Sequence, residues 1–260
     1  MSLRINQNID AFNSYRNLSV TQGQLSRSLE KLSSGFRINR AADDAAGLAI
    51  SEGLRAQVGG LKVAVRNAQD GISVAQTAEG ALTEVHSMLQ RMNDLAVQYN
   101  NGTQNADSQA ALSQEFTALK TEIGRIQTNT TFNGVALFPA AAATVDFQVG
   151  YKNADEISVS LAAVDVTAAV ITSSDTVQTA ITAVSTARAG LGAIQNRFEH
   201  TINNLNVAVE NLSASESRIR DTDMAAEMVN FTRANILSQA GTAMLAQANQ
   251  GPQSVLQLLR

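Results

Sequence analysis

Two adjacent carboxylates, Asp43 and Asp44, and two histidines, His86 and His200, are the side chains whose chemistry first suggests a catalytic or metal site. Such a site needs these groups held together in one geometry. The histidines lie far apart in the chain, and neither belongs to a His-Glu-x-x-His pattern. The carboxylates directly precede a predicted helix, where they can accept backbone N–H groups, so we interpret them as helix caps.

The remaining composition gives no support to an enzyme. The chain has no cysteine, which excludes a disulfide framework, a zinc–thiolate site and a cysteine nucleophile. It also lacks a glycine-rich phosphate loop of the Walker type. Because 19 Lys and Arg face 23 Asp and Glu without a basic block, nucleic acid is not expected as a partner. We therefore predict a protein that is not an enzyme, with no cofactor and no metal.

Long helices are the elements that this composition favours. Aromatic residues make up 4% of the chain, tryptophan is absent, and the only prolines are Pro139 and Pro252. Few aromatics and few helix-breaking residues are typical of extended helical proteins rather than of compact domains with many turns. The predicted fold class is mainly α, with long antiparallel helices, a coiled coil of N- and C-terminal segments, and one small β-hairpin.

The first predicted helix covers residues 3–33. Its apolar residues recur in steps of three, four or seven, with one gap, and so fall on one stripe. They are Ile5, Ile9, Phe12, Leu18, Leu25, Leu29 and Leu32. Gly35 is expected to end this helix as a left-handed cap.

The central part of the chain predicts a helical hairpin followed by strands. A helix over 45–99 has apolar residues spaced near the coiled-coil period of 3.5, and Gly59-Gly60 is a place where it could bend. A polar turn joins it to a helix over 108–128. Alternating residues at 145–149 and 157–161 then indicate the β-hairpin, near 144–162.

Two further helices are predicted, over 176–220 and 223–250. The last one carries Met224, Met228, Phe231 and Met244, and the chain ends in an apolar stretch, 255–260, that is expected to pack against something. We predict an assembly seam on the two terminal helices. Its members are Ile5, Ile9, Phe12, Leu25, Leu29, Leu32, Met228, Phe231, Met244, Leu256 and Leu259.

The energetics of residues 3–33 indicate that the terminal helices need partners. Seven buried apolar side chains supply roughly 20 kcal/mol, at about 2–3 kcal/mol each. Ordering about 30 backbone residues costs roughly 30–60 kcal/mol, and helical hydrogen bonds offset only part of this. We therefore expect both ends to pair with each other and with neighbouring subunits, and to become ordered on assembly.

Neither a cleaved leader nor a membrane span is expected. The first residues lack the apolar core of a signal peptide. The longest mostly apolar run, 133–145, is too short to cross a bilayer. We interpret the chain as cytoplasmic, or as exported by a route without a cleaved signal, with no membrane insertion.

Several long motifs at both ends resemble the bacterial flagellin family. At the N-terminal end these are LSSGFRINRAADDAAGLAI at 32–50, RNAQDGISVAQTAEGAL at 66–82 and LQRMNDLAVQ at 89–98. At the C-terminal end they are QNRFE at 195–199, SRIRDTD at 217–223, QAGTAMLAQAN at 239–249 and LQLLR at 256–260. The resemblance covers nearly everything except residues 139–175.

The resemblance implies a structural subunit of the extracellular flagellar filament, the motility propeller. It implies an inner coiled-coil domain of residues 1–44 and 221–260 and an outer helical domain of residues 45–220. Only about 40 residues stand where many members carry large variable outer domains.

The resemblance also implies partners: further copies in a helical homopolymer, an export chaperone at the C-terminal helix (223–260), and filament cap and hook-junction proteins. Export would follow the type III route, in the unfolded state. A host Toll-like receptor surface would include Arg91, Leu95 and Glu115. The alternative is a helical adaptor of the hook–filament junction type, which would be present in few copies and form no long polymer.

Overall fold

The computed structural model describes residues 7–139, 143–161, 163, 165–166 and 168–258. Its elements follow the order α1 (Ile9–Ser34), α2 (Ala45–Tyr99), α3 (Ala106–Asn129), β1 (Thr131–Phe132), β2 (Val135–Ala136), β3 (Ala143–Gln148), β4 (Glu156–Leu161), α4 (Ser174–Arg220) and α5 (Met224–Leu258). The predicted fold class, mainly α with paired terminal helices, is confirmed. Within the described residues, no helix is long and apolar enough to cross a membrane.

The chain forms two compact units. The described parts of Met1–Ala56 and Leu212–Arg260 make the terminal unit, and Gln57–Asn211 makes the central unit. Helices α2 and α4 contribute residues to both units. In the terminal unit α1 packs along α5, whereas the central unit holds α3, the strands and most of the buried apolar residues.

Helix α2 has the bounds that its apolar spacing predicts. Its buried residues follow alternating steps of three and four, the pattern of a helix that buries one continuous stripe. Those on the stripe include Leu61, Ala68, Ala75, Leu82, Val85, Leu89 and Met92. The helix continues through Gly59 and Gly60 without interruption. Tyr151, from the β3–β4 loop, lies so close to Gly60 that a Cβ there would stand 3.1 Å from the tyrosine Cβ.

Phe198 of α4 lies at the centre of the central unit. Its ring is fully buried and meets the ring of Phe147 from β3 edge-on, with centroids 5.6 Å apart. The ring also fills the space beside Gly71 of α2, where an added Cβ would stand 2.5 Å from the phenylalanine Cζ. Helix α2 and the β3–β4 hairpin are therefore both packed against this one aromatic side chain of α4.

The described residues form two antiparallel strand pairs where the sequence predicted one. The predicted hairpin is β3–β4, in which Val145 pairs with Val159, and Ile157, Val159 and Leu161 are buried. The second pair, β1–β2, was not predicted. It turns at Asn133 and Gly134, both with positive φ (48° and 80°), as a two-residue hairpin turn requires.

Both terminal helices differ from their predicted bounds. Helix α1 begins at Ile9 rather than near residue 3, because Asn8 caps it by accepting the N–H of Ala11 at 3.0 Å. It ends as predicted at Gly35, which has a left-handed φ of 76° and donates to the carbonyl of Lys31. Helix α5 extends to Leu258 instead of ending near residue 250, and so includes Pro252.

Candidate assembly site: the paired terminal helices

Helices α1 and α5 meet along a seam of mostly small side chains. The partly buried positions in α1 follow alternating steps of three and four residues, and α5 repeats the pattern. In α1 these are Ala11, Ser14, Leu18, Thr21, Leu25, Ser28 and Leu32; in α5 they are Glu227, Phe231, Ala234, Ser238, Gly241, Leu245 and Ala248. Small residues at these positions let the two helices approach closely.

The two helices run antiparallel. Asn8, at the start of α1, bonds to Ala248 near the end of α5, and an added Cβ on Gly241 would lie 3.2 Å from the Cδ1 of Leu18. Arg27 shares a cleft with Arg233 farther along. Residues later in α1 therefore contact residues earlier in α5. These contacts define the register of the pair.

Asn8 joins the outer ends of the pair. Its Oδ1 caps α1, while its Nδ2 donates to the carbonyl of Ala248 at 2.8 Å. That carbonyl would receive the N–H of residue 252 in a regular helix, but Pro252 has no N–H. The asparagine therefore satisfies an acceptor that the proline leaves unpaired, which explains how α5 continues beyond its predicted end.

The inner ends of the pair are joined by a clasp, residues 35–37 and 220–222. The N–H of Arg37 donates to the carbonyl of Arg220 at 2.7 Å, and the N–H of Thr222 donates to the carbonyl of Gly35 at 3.0 Å. The guanidinium of Arg37 adds hydrogen bonds to the carbonyl of Ile219. The connections α1–α2 and α4–α5 are thus bonded as a short antiparallel bridge.

Arg220 covers the clasp with its side chain. The guanidinium stands over the ring of Phe36, 4.9 Å from its centroid, and its Nη1 bonds to Glu52 Oε1 at 2.5 Å. The arginine side chain is 14% exposed, so its charge is better shielded from solvent than that of an ordinary surface pair. Three parts of the chain therefore converge on one cation.

The loop before α2 confirms the capping interpretation for Asp44 but not for Asp43. Asp44 accepts the N–H of Gly47 at 2.9 Å and caps α2. Asp43 instead accepts the N–H groups of Arg40 and Asn39, and these bonds hold the pKa of its carboxyl below the ordinary value. Both carboxylates therefore accept hydrogen bonds from backbone N–H groups and hold the local backbone in place.

The predicted assembly seam divides into two sets in the structure. Leu25, Leu32 and Phe231 lie on the seam between α1 and α5. The other described members are largely exposed, up to 72% for Phe12 and 63% for Met244; we call them the outward apolar residues: Ile9, Phe12, Leu29, Met228 and Met244. Ile5 and Leu259 lie outside the described residues, and the side chain of Leu256 is not described.

The predicted receptor residues lie in the central unit. Arg91 of α2 and Glu115 of α3 are exposed and form an ion pair, with Nε and Oε1 2.8 Å apart. This hydrogen bond raises the pKa of Arg91. Leu95 is fully buried, so its side chain is not part of the exposed surface.

The described residues contain no group of three or more His, Asp or Glu side chains arranged to hold a metal ion. His86 Nε2 lies 3.0 Å from the amide nitrogen of Gln90 on the same helix, and His200 is exposed on α4. The structure therefore does not bring the two histidines or the Asp43–Asp44 pair into one site.

Sequence reasoning missed Asn8, Arg220 and the small residues of the seam. For the seam a signal existed, since the steps of three and four are present in the sequence, although they are carried by Ala, Ser, Thr and Gly. Asn8 and Arg220 act on residues distant in sequence, and nothing in their local patterns marked them.

Comparison with known proteins places both ends of the chain in one family. Residues 5–143 match the model described as the bacterial flagellin N-terminal helical region, and residues 174–259 match the bacterial flagellin C-terminal helical region. A crystal structure of Bacillus cereus flagellin aligns with 63% of this chain and 93% of its own, at 29% identity and a TM-score of 0.39.

Relatives of similar length match almost from end to end. A flagellin of Halalkalibacterium halodurans is 55% identical, over 98% of this chain and 99% of the relative. A flagellin of Bacillus subtilis is 49% identical, over 99% of this chain and 100% of the relative. The flagellar filament 33 kDa core protein of Treponema phagedenis is 43% identical, over 98% of this chain and 99% of the relative. The chain therefore belongs to the bacterial flagellin family, as a short form without a large outer domain.

Proposed function

We propose that this chain is a structural subunit that polymerises into the flagellar filament. The observation that carries the proposal is the arrangement of the terminal helices. Their mutual contact covers small side chains together with four leucines and Phe231, and it leaves the outward apolar residues largely exposed to water. Large apolar side chains are the ones that gain most from burial, about 1.5–3 kcal/mol each, so the pair is incomplete without a further partner.

A second copy is the partner that these surfaces fit best. The outward apolar residues occur on both helices and along most of their length, so each subunit offers apolar surface in several directions. Contacts that repeat between identical copies without closing generate a helical polymer. The 43% identical relative is named a filament core protein, which favours a filament subunit over a hook–filament junction adaptor.

The proposed division of labour follows the family resemblance. Residues 1–44 and 221–260 would form the inner part of the filament wall, and residues 45–220 the outer part. The role is structural, without a catalytic step.

The proposed route to the filament is type III export of the unfolded chain, with growth beneath a cap protein on a base of hook-junction proteins. A chain without cysteine cannot form a disulfide that would obstruct threading. The export chaperone would bind the C-terminal helix, residues 223–260, where Met228, Val229, Ile236 and Leu237 are exposed apolar residues that a partner could cover.

Arg91 and Glu115 are the exposed residues proposed to meet a host Toll-like receptor, and Leu95, the third residue of the proposed surface, is buried. The ion pair joins Arg91 Nε to Glu115 Oε1, so the two Nη atoms and Oε2 are the polar atoms that a receptor group would contact. Receptor activation by monomer, compared among the wild type, Arg91→Ala and Glu115→Ala, tests this surface. Equal activation by all three proteins would refute it.

The experiment that tests the function is polymerisation of purified chain on short filament seeds, followed by electron microscopy. Micrometre filaments are expected. Chain that stays monomeric at high concentration in the presence of competent seeds would contradict the proposal and favour the junction role.

A further inference from the structure

A cleft of about 440 Å³ lies between α1 and α5, within the terminal unit. Its walls carry three cations, Arg27 and Lys31 from α1 and Arg233 from α5. Glu227 is the one carboxylate among the lining residues. The cleft is therefore a strongly positive opening on the surface of the helix pair.

These three cations lack carboxylate partners in the described part of the chain. None of them takes part in an ion pair there, whereas Arg40 and Arg220 are both paired to glutamates. Lys31 does act electrostatically on Asp43, but backbone N–H groups already occupy that carboxylate.

Helix stability alone does not account for the three cations. Lys31 stands in the last turn of α1, where a positive charge suits the helix dipole. Arg27 precedes it by four residues on the same face, and like charges at this spacing repel each other. Arg233 then adds a third positive charge from the opposite helix. Glu227 offsets one of the three positive charges, so an anion that enters the cleft would stabilise the cluster further.

A second copy of the chain carries such anions in excess. Residues 57–211 contain fourteen Asp and Glu but only eight Lys and Arg. The terminal segments, 1–56 and 212–260, together contain nine Asp and Glu and eleven Lys and Arg. In a polymer, acidic groups of one copy are present at very high local concentration around the cationic cleft of another. Opposite charges across an interface also select the orientation in which the two copies bind.

We propose that the cleft formed by Arg27, Lys31 and Arg233 binds a carboxylate of a second copy of this chain. The contact is polar and complements the outward apolar residues: the apolar surface drives association, and the charged cleft selects the position that the neighbour takes. This inference rests on the proposed filament function and names one of its inter-subunit contacts.

Zero-length carbodiimide cross-linking of filaments tests the contact directly. The reagent joins an amine to a carboxylate in contact with it, and the chain has only four lysines, at 31, 62, 120 and 152. Filaments are grown from an equal mixture of unlabelled and nitrogen-15-labelled chains. Hybrid peptides that join Lys31 of one chain to an Asp or Glu of another are the expected product.

Variants provide the controls. Lys31→Arg keeps the charge and removes the amine, so filaments should still form while the hybrid peptides at residue 31 disappear. The double variant Arg27→Gln, Arg233→Gln should raise the critical concentration for growth about tenfold. Arg16→Gln, which removes one positive charge elsewhere on α1, should raise it less than twofold.

The possible outcomes distinguish a failure of the proposed filament function from a failure of the proposed contact at the cleft. If wild-type chain does not polymerise, the proposed function fails and the contact fails with it. If filaments form but Lys31 is cross-linked only within its own chain, or not at all, the inference is wrong and the filament function stands. Unchanged growth of the double variant would also overturn the inference.

Discussion

Asn8 and Ala248, 240 residues apart in sequence, are joined by a hydrogen bond from the asparagine Nδ2 to the alanine carbonyl. This carbonyl is the acceptor that Pro252 deprives of its helical N–H. One side chain therefore caps α1, compensates a proline in α5 and fixes where the two ends of the chain meet.

Substitutions at Asn8 should separate these roles. Asn8→Asp keeps an acceptor for the N–H of Ala11 but has no donor for Ala248, so α1 keeps its cap while the pair loses about 1–2 kcal/mol. Asn8→Ala should lose both contributions. In a Pro252→Ala background the new N–H can serve Ala248, and Asn8→Asp should cost less than half as much. Amide exchange of residues 9–20 in filaments measures each difference; equal costs in both backgrounds would refute the compensation.

The clasp should depend on the shape of Arg220 as well as its charge. Lysine can still pair with Glu52 but cannot stack a planar group on Phe36, so Arg220→Lys should destabilise the terminal unit by about 0.5–1 kcal/mol. Arg220→Met should cost more, about 1–2 kcal/mol, because the ion pair is lost too. The free energy of opening, from amide exchange at residues 36–38, is the readout. A lysine variant as stable as the wild type would show that stacking contributes nothing.

Gly71→Ala should destabilise the central unit although alanine favours a helix. The new methyl would stand 2.5 Å from Phe198 Cζ, and a buried ring can move only by disturbing Phe147. Overpacking of this kind costs about 1–3 kcal/mol, more than the gain of about 1 kcal/mol from helix propensity.

Gly80, on the same helix with nothing within 4 Å of an added Cβ, provides the matched control. Gly80→Ala should stabilise the monomer by about 0.5–1 kcal/mol. Urea unfolding of both variants gives the comparison, and stabilisation by Gly71→Ala would contradict the packing around Phe198.

Asp43 should make the loop before α2 sensitive to acid. Its folded pKa is depressed below 3.8 by the N–H groups of Arg40 and Asn39, so its contribution to stability is present above 3.8 and is lost as the pH falls through the lower folded value. A carboxyl titration followed by NMR should show a midpoint below 3.8 in the native protein. Asp43→Ala should remove this part of the acid sensitivity, and a native midpoint at or above 3.8 would contradict the assignment.

The sequence predicted elements best where large apolar side chains set the period. Helix α2 buries leucine, valine and methionine at regular steps, and its bounds were predicted correctly. The α1–α5 seam has the same period but mixes large apolar residues with small and polar ones. The predicted seam therefore included Leu25 and Phe231, which lie on it, but also Phe12 and Met244, which are exposed. The β1–β2 pair was missed because its strands have two residues each, although Asn133-Gly134 is a strong hairpin signal.

Contacts between distant segments could not be predicted in the same way. The bond between Asn8 and Ala248, and that between Arg37 and Arg220, join residues whose local sequence gives no sign of a partner. The last helix was predicted to end at residue 250, just before Pro252, whose missing N–H is a helix break by local rules. The compensating donor comes from the other end of the chain.

The most direct test of the central claim is the critical concentration for seeded growth of a chain whose outward apolar surface has been made polar. The double variant Phe12→Gln, Met228→Gln changes one exposed residue on each terminal helix. Val207→Gln removes a comparable exposed residue, 58% accessible, from the central unit and serves as the control. We expect the critical concentration to rise at least about tenfold for the double variant, with unchanged monomer helicity, and to change little for the control. Growth of the double variant at the wild-type critical concentration would contradict the claim that these faces drive assembly.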